Sequence, residues 1–263
     1  MRGATWFTAL TDGQAPEQRH SAAIWAADAP LGDEQARFIA VVADPANRFP
    51  RARHGEVGIE QARALALEVH AIIGQAKRPI VAIVDVRSQA YGREEEVLGL
   101  HRACASAVAA YAEARRAGHP VIALIVGRAM SGAFLAHGYQ ANRILALDDP
   151  EVLVHAMSKE AAARVTRRTV KELETLGEEV LPMSYSIRAY EKLGLLHALL
   201  GGVNADAPSN ADVVRVKDEL VRAVHDARMS PADLSSRLAS PQARRTRAAS
   251  LEVRRLMALQ WNG

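Results

Sequence analysis

A chain of 263 residues, 49% hydrophobic and 24% charged, is long enough for one large α/β domain, and its composition excludes disorder, collagen and a fibrous coiled coil. Its formal charge of +3 is unevenly placed: residues 240–263 carry Arg244, Arg245, Arg247, Arg254 and Arg255 against Glu252 alone, a tail of +4 on a body of −1. Nucleic-acid binding by the body is thereby disfavoured, because phosphate binding needs a basic face there as well as a basic end.

The elements predicted in chain order alternate between short β-branched runs and helical stretches, as α/β units do. A weak strand at 20–27 precedes an apolar strand at 37–43, closed by Asp44-Pro45. A helix follows at 59–74, then a continuously apolar strand at 79–85. The next helix, 94–116, places Leu98, Ala105, Val108, Ala109 and Ala112 on its apolar face and ends before Gly118 and Pro120. A third strand at 120–127 and weaker ones at 143–147 and 152–155 complete the core. Residues 159–200 read as helical with a break at Pro182, and 201–209 as a turn-rich gap. From 211 to 261 the pattern is helical, with Pro231 and Pro241 as starts. The expectation is one domain, with an α/β core over about 1–200 and a helical C-terminal extension over about 211–263.

The lone Cys104 excludes an intramolecular disulfide, and no apolar run approaches the roughly 20 residues of a membrane span. No signal-peptide pattern is present, so a cytoplasmic protein is expected. The nine histidines form no His-Glu-x-x-His and no Cys/His pairs, so no metal site is expected.

Residues 121–136 run a buried strand directly into small residues and then an apolar helical stretch. Backbone N–H groups of Met130, Ser131 and Gly132 then point out of a helix N-terminus, where they suit an anion or a developing oxyanion. Ordinary packing of a strand-to-helix turn competes as an account of the same residues. Spacing removes the better-known alternatives. A P-loop would need Lys and Ser/Thr where Ala133 and Phe134 stand, and a dinucleotide fingerprint would need glycine at Ala129. A nucleophile elbow would need glycines at Ala129 and Ala133.

The second informative stretch, 85–96, leaves the carboxyl end of a buried strand, where α/β proteins build sites. Tyr91 and Gly92 allow close approach of a ligand, whereas Glu94, Glu95 and Glu96 fit a solvated first helical turn. His137 and His155 flank the glycine turn and read as ordinary polar side chains.

Taken together, the 85–92 loop, the Gly127-to-Gly132 turn and Ala189-Tyr-Glu-Lys-Leu-Gly-Leu-Leu196 resemble the crotonase superfamily, and within it the carboxyltransferase halves of biotin-dependent carboxylases. Trp6-Phe-Thr-Ala-Leu10, the segment 47–56 and the segment 155–160 make nearly the whole chain similar to the gamma-subunit family of biotin-independent malonate decarboxylases. The resemblance implies a crotonase-like ββα superhelix with a helical C-terminal extension. It also implies a beta subunit of the same fold, an acyl carrier protein subunit and an acyl carrier protein transferase subunit as partners, with neither nucleic acid nor membrane. This chain would bind no cofactor itself; the carrier would bring a phosphoribosyl-dephospho-CoA arm charged with a malonyl thioester.

On this resemblance the reaction releases carbon dioxide and leaves an acetyl thioester. Met130, Ser131 and Gly132 are the expected catalytic donors, facing the leaving carboxylate while the beta subunit binds the thioester carbonyl. Gln89, Tyr91 and Gly92 are the expected substrate-binding residues, and Arg244, Arg245 and Arg247 the expected contacts to partner or carrier. Related halves have more glycines in the turn, where this chain has Arg128, Ala129 and Met130. Three alternatives stay open: a carboxyltransferase half that delivers the carboxyl group to biotin, a non-catalytic scaffold subunit, and an enoyl-thioester hydratase. The last would need two positioned carboxylates near the donors.

Overall fold

The computed structural model describes residues 1–261. Helix α1 (Arg2–Leu10) leads into the hairpin β1 (Ile24–Leu31) and β2 (Glu34–Val41), and then α2 (Ile59–Ile73) and β3 (Ile80–Val86). Short α3 (Arg93–Val97) and long α4 (Leu100–Arg116) precede β4 (Val121–Met130), α5 (Ser131–Ala136), β5 (Arg143–Leu147) and β6 (Leu153–His155). Helices α6 (Lys159–Thr166), α7 (Val170–Glu179) and α8 (Ile187–Lys192) come next, then β7 (Ala198–Leu200). The chain finishes with α9 (Asn210–Arg228), α10 (Ser236–Ala239), α11 (Pro241–Thr246) and α12 (Ala248–Trp261).

The strands form one sheet in the order β1-β2-β3-β4-β5-β7, with β6 also paired to β4. Among these seven strands the β1–β2 pair is antiparallel and the other pairs are parallel, and isolated antiparallel bridges join Glu17 to Ala26 and Leu153 to Ser186. Parallel pairing demands a crossover between strands, which is the role of α2 and α4; these two helices pack against each other, and α1 and α9 also pack on the sheet. Each residue of β3 and β5 is accordingly buried, and the apolar runs that mark them in sequence follow from that.

The expected strands all form, and β4 is longer than expected, reaching Met130. The predicted helix 94–116 is divided, because Gly99 takes a left-handed conformation (φ 90°) and starts a new helix. Its apolar face is corrected too: Leu100, Ala107, Ala110, Tyr111 and Ala114 are buried, while Leu98, Ala105 and Ala109 are exposed. Alanines lie on every side of this helix, so the pattern alone cannot choose a face. The choice is made by Tyr111, whose hydroxyl reaches His137 Nδ1 at 2.9 Å in the core. Pro231 starts no helix, whereas Pro241 is the first residue of α11.

The C-terminal extension is partly built into the core. Helix α9 is capped by Ser209, whose hydroxyl accepts from Asp212 N at 3.2 Å, and buries Val216, Leu220, Ala223, Val224 and Ala227 against β1, β4 and β5. Helix α12 differs: none of its residues is buried.

Candidate active site

The site begins at a bulge. Residues Val84 and Ile125 are paired, but two residues later on β3, Val86 pairs with Ala129, so β4 has two extra residues between. The Asp85 carboxylate stabilises this irregularity by accepting from Arg128 N and Gly3 N, each at 3.1 Å. Residue 127 must be glycine there, since a Cβ would overlap Asp85 Oδ1. Beyond the bulge, Arg128–Met130 pair with Leu153–His155, which brings His155 beside the end of β4.

At the end of β4 the chain turns sharply. Ser131 has φ 55°, a left-handed conformation uncommon outside glycine, and the turn starts α5. Two hydrogen bonds tie it to the loop after β3: Gln89 N donates to Ser131 Oγ at 2.8 Å, and Gly132 N donates to Gln89 Oε1 at 3.0 Å. That loop is itself held by Val57, which donates to Ser88 O and accepts from Ala90 N, both at 2.9 Å.

Gln89, Ser131 and Gly132 line a cavity of about 640 Å³. Its other walls include Phe134 and Leu135 of α5, Tyr139, His155, Leu181-Pro-Met183, Tyr190 and Leu193. Among the described residues no Asp, Glu, Lys or Arg lines it, so an anion that enters meets hydrogen-bond donors and apolar surface without a counter-ion. Tyr190 is neutral at physiological pH, since burial pushes its phenol well above the usual range. The His155 imidazole stacks on the Tyr185 ring with centroids 3.9 Å apart, and burial lowers its pKa.

The expected residues are thus divided in space. Gln89, Ser131 and Gly132 come together, although Gly132 N–H is directed to Gln89 and the amide's unpaired donor is its Nε2. Met130 is buried at the end of β4. Tyr91 and Gly92 lie outside the cavity lining: the Tyr91 ring is 55% exposed with the Arg51 guanidinium over it at 5.8 Å, and Gly92 caps α3. Arg244 and Arg245 are exposed on α11, and Arg247, just after it, is half-buried.

His137 sits in the core, where Nε2 donates to Ile83 O at 3.0 Å and the neutral ring's Nδ1 accepts from the Tyr111 hydroxyl at 2.9 Å. Of the three glutamates, Glu94 and Glu96 are solvated as expected, but Glu95 is only 3% exposed and burial raises its pKa. Successive helical positions point about 100° apart, so one of three adjacent glutamates can face inward. Leu181 to Met183, Tyr190 and Leu193 were not foreseen as walls, although the sequence marks their neighbourhood by the break at Pro182 and by the segment 189–196 that contributes to the family resemblance. Among the described residues, no cluster of three or more His, Cys, Asp or Glu is placed to hold a metal ion.

Comparison with known proteins gives this geometry a context. A curated relative, the malonyl-S-ACP:biotin-protein carboxyltransferase MADD of Malonomonas rubra, is 38% identical over 159 residues, which are 57% of this chain and 54% of that protein. The match therefore spans about half the length of that relative. The fold is shared with transcarboxylase 12S, at a TM-score of 0.64 and 18% identity over 86% of this chain and 40% of that one. A Pseudomonas malonate decarboxylase hetero-tetramer, solved in complex with coenzyme A, has a chain 52% identical at a TM-score of 0.92, covering 99% of both chains. The Pseudomonas MdcD-MdcE hetero-dimer matches at 52% identity and a TM-score of 0.90, again over 99% of both. A family model for the malonate decarboxylase gamma subunit matches residues 52–261. This chain belongs to the malonate decarboxylase gamma-subunit family and has its crotonase-like, carboxyltransferase-type fold.

Proposed function

We propose that the chain acts with a beta subunit to decarboxylate a malonyl thioester, and that the cavity between α5, the 181–184 turn and α8 receives the malonyl group. The convergence of Gln89, Ser131 and Gly132 on one largely apolar cavity carries this assignment. The substrate arrives on an acyl carrier protein through a phosphoribosyl-dephospho-CoA arm, and a separate transferase subunit loads that carrier. The assembly works in the cytoplasm.

In the reaction the bond between the α-carbon and the carboxyl carbon breaks and CO₂ departs. Its electron pair passes to the α-carbon and is delocalised onto the thioester oxygen as an enolate, and a proton added at the α-carbon gives the acetyl thioester. Negative charge therefore leaves the carboxylate during the reaction. A wall with no cation suits that change: a lysine or arginine salt bridge would stabilise the carboxylate ground state more than neutral CO₂. Gln89 serves to orient. Gly132 N–H and Ser131 Oγ fix the loop and the amide, so that Nε2 is the donor offered to a substrate oxygen. The beta subunit supplies the donors for the enolate oxygen.

The test is reconstitution. The beta–gamma complex should release CO₂ from a malonyl thioester while the gamma chain alone does not. Gly132→Val, whose Cβ would overlap Gln89 Oε1, should lower turnover at least 100-fold without loss of assembly. Full turnover by that variant would make this chain a scaffold. The Malonomonas relative motivates a second reading, transfer of the carboxyl group to biotin. Avidin should leave CO₂ release unchanged if the first holds and abolish it if the second does.

A further inference from the structure

A second cavity, of about 400 Å³, adjoins the first: Tyr139 lines both. Its walls are Leu195, the 233–235 turn, Leu238 and three arginines, Arg237, Arg247 and Arg254. Among the described residues none of these arginines makes an ion pair within 4.0 Å, in contrast to Arg255 beside them, which pairs with Glu252. Asp233 is the one carboxylate in the lining, and its Oδ1 is engaged by Ser235 N at 2.9 Å and Ser235 Oγ at 2.6 Å.

Arg237 is the firmest of the three. It is only 8% exposed, and its guanidinium lies over the Tyr139 ring at 4.8 Å. Both hydrogen bonds it makes leave through Nη2, to Tyr139 O at 2.7 Å and Ala141 O at 2.6 Å. Its Nε is buried with no partner. A guanidinium whose Nη2 is committed to two carbonyls, with no carboxylate beside it, holds a buried charge that no counter-ion offsets, which is a costly arrangement in isolation. The buried Arg115 nearby adds to the positive field. Three arginines against one carboxylate leave the cavity with a net charge of +2, and like charges gathered without partners repel one another until an anion enters.

We infer that this cavity is a phosphate site, taking the phosphate or diphosphate of a phosphate ester through Arg237, Arg247 and Arg254. Arginine suits that ligand because its planar fork matches two phosphate oxygens. Resting on the function proposed above, the shared Tyr139 gives the site its use: a thioester arm that carries phosphate is anchored here while its acyl end enters the neighbouring cavity.

The experiment is calorimetric titration of the assembled beta–gamma complex with inorganic pyrophosphate at low salt, followed by competition with coenzyme A and with pantetheine. Pyrophosphate should bind, weaken as salt rises, and be displaced by coenzyme A but not by pantetheine, which lacks phosphate. Displacement by inorganic phosphate as strong as by coenzyme A would assign the site to the free ion and overturn the anchoring role. The double variant Arg247→Gln/Arg254→Gln should weaken pyrophosphate binding at least tenfold, whereas Arg244→Gln/Arg245→Gln, outside the cavity, should leave it unchanged. Absence of binding by the wild-type complex, or equal binding by the two double variants, would overturn the assignment. So would loss of beta-subunit binding in the Arg247/Arg254 variant at unaltered phosphate affinity of the gamma chain, since the arginines would then serve a protein contact. No arm of this experiment measures turnover, so its outcome is independent of whether the decarboxylase assignment stands.

Discussion

Replacing Gln89 by glutamate changes one group and little volume. The Oε1 acceptor for Gly132 N–H is kept, as is the Gln89 N–H bond to Ser131 Oγ, so the turn should fold as before. What changes is the other end of the side chain: a donor, Nε2, becomes an oxygen sharing a negative charge. If Nε2 donates to the substrate's oxygen, the loss of a hydrogen bond to a charged group costs about 1.5–3 kcal/mol. A carboxylate about 4 Å from the malonyl carboxylate adds repulsion of up to about 4 kcal/mol at an effective dielectric constant of about 20. Among the described residues no lysine or arginine lines the cavity to offset it. Even the first contribution alone predicts a fall of roughly 10- to 150-fold in kcat/KM, and both together exceed 1,000-fold. The assay is CO₂ release by the reconstituted beta–gamma complex, with a thermal melt to establish that the fold is retained. A Gln89→Glu complex with native melting and activity within threefold of wild type would refute a donor role for this amide.

Other consequences concern the frame around the site. Gly127→Ala should force the Asp85 carboxylate away from Gly3 N and Arg128 N, and losing two such bonds should destabilise the chain by about 3 kcal/mol in denaturant titration. His137 is buried and its pKa falls from 6.5 to about 4, so it is neutral when folded and binds its proton more readily when unfolded. Stability should therefore be complete above pH 6.5 and decline as pH falls towards 4, by about 3 kcal/mol in all, and His137→Gln should flatten that part of the profile. A profile for the variant as steep as wild type would assign the acid sensitivity to other groups.

Sequence by itself determined the alternation of buried strands and crossover helices, because parallel strands covered on both faces must be apolar along their whole length. It also determined the strand-to-helix turn at Ser131 and Gly132, and enough matching segments to place the chain in its family. Tertiary structure alone decided which face of the alanine-rich α4 is inside, because seven interchangeable alanines leave the choice to one tyrosine meeting His137. It likewise decided that Gly132 N–H faces a side chain. Hydrogen-bond direction across 43 residues is a property of how the β3 and β4 loops meet, and no local pattern contains it. The basic tail shows both levels at once. Its charge is legible by counting, but of the exposed arginines Arg244, Arg245 and Arg254 only Arg254 lines a cavity, together with half-buried Arg247 and buried Arg237. Packing of α10, α11 and α12 brings these three cations together, and charge counted along a chain carries no information about which cations will converge.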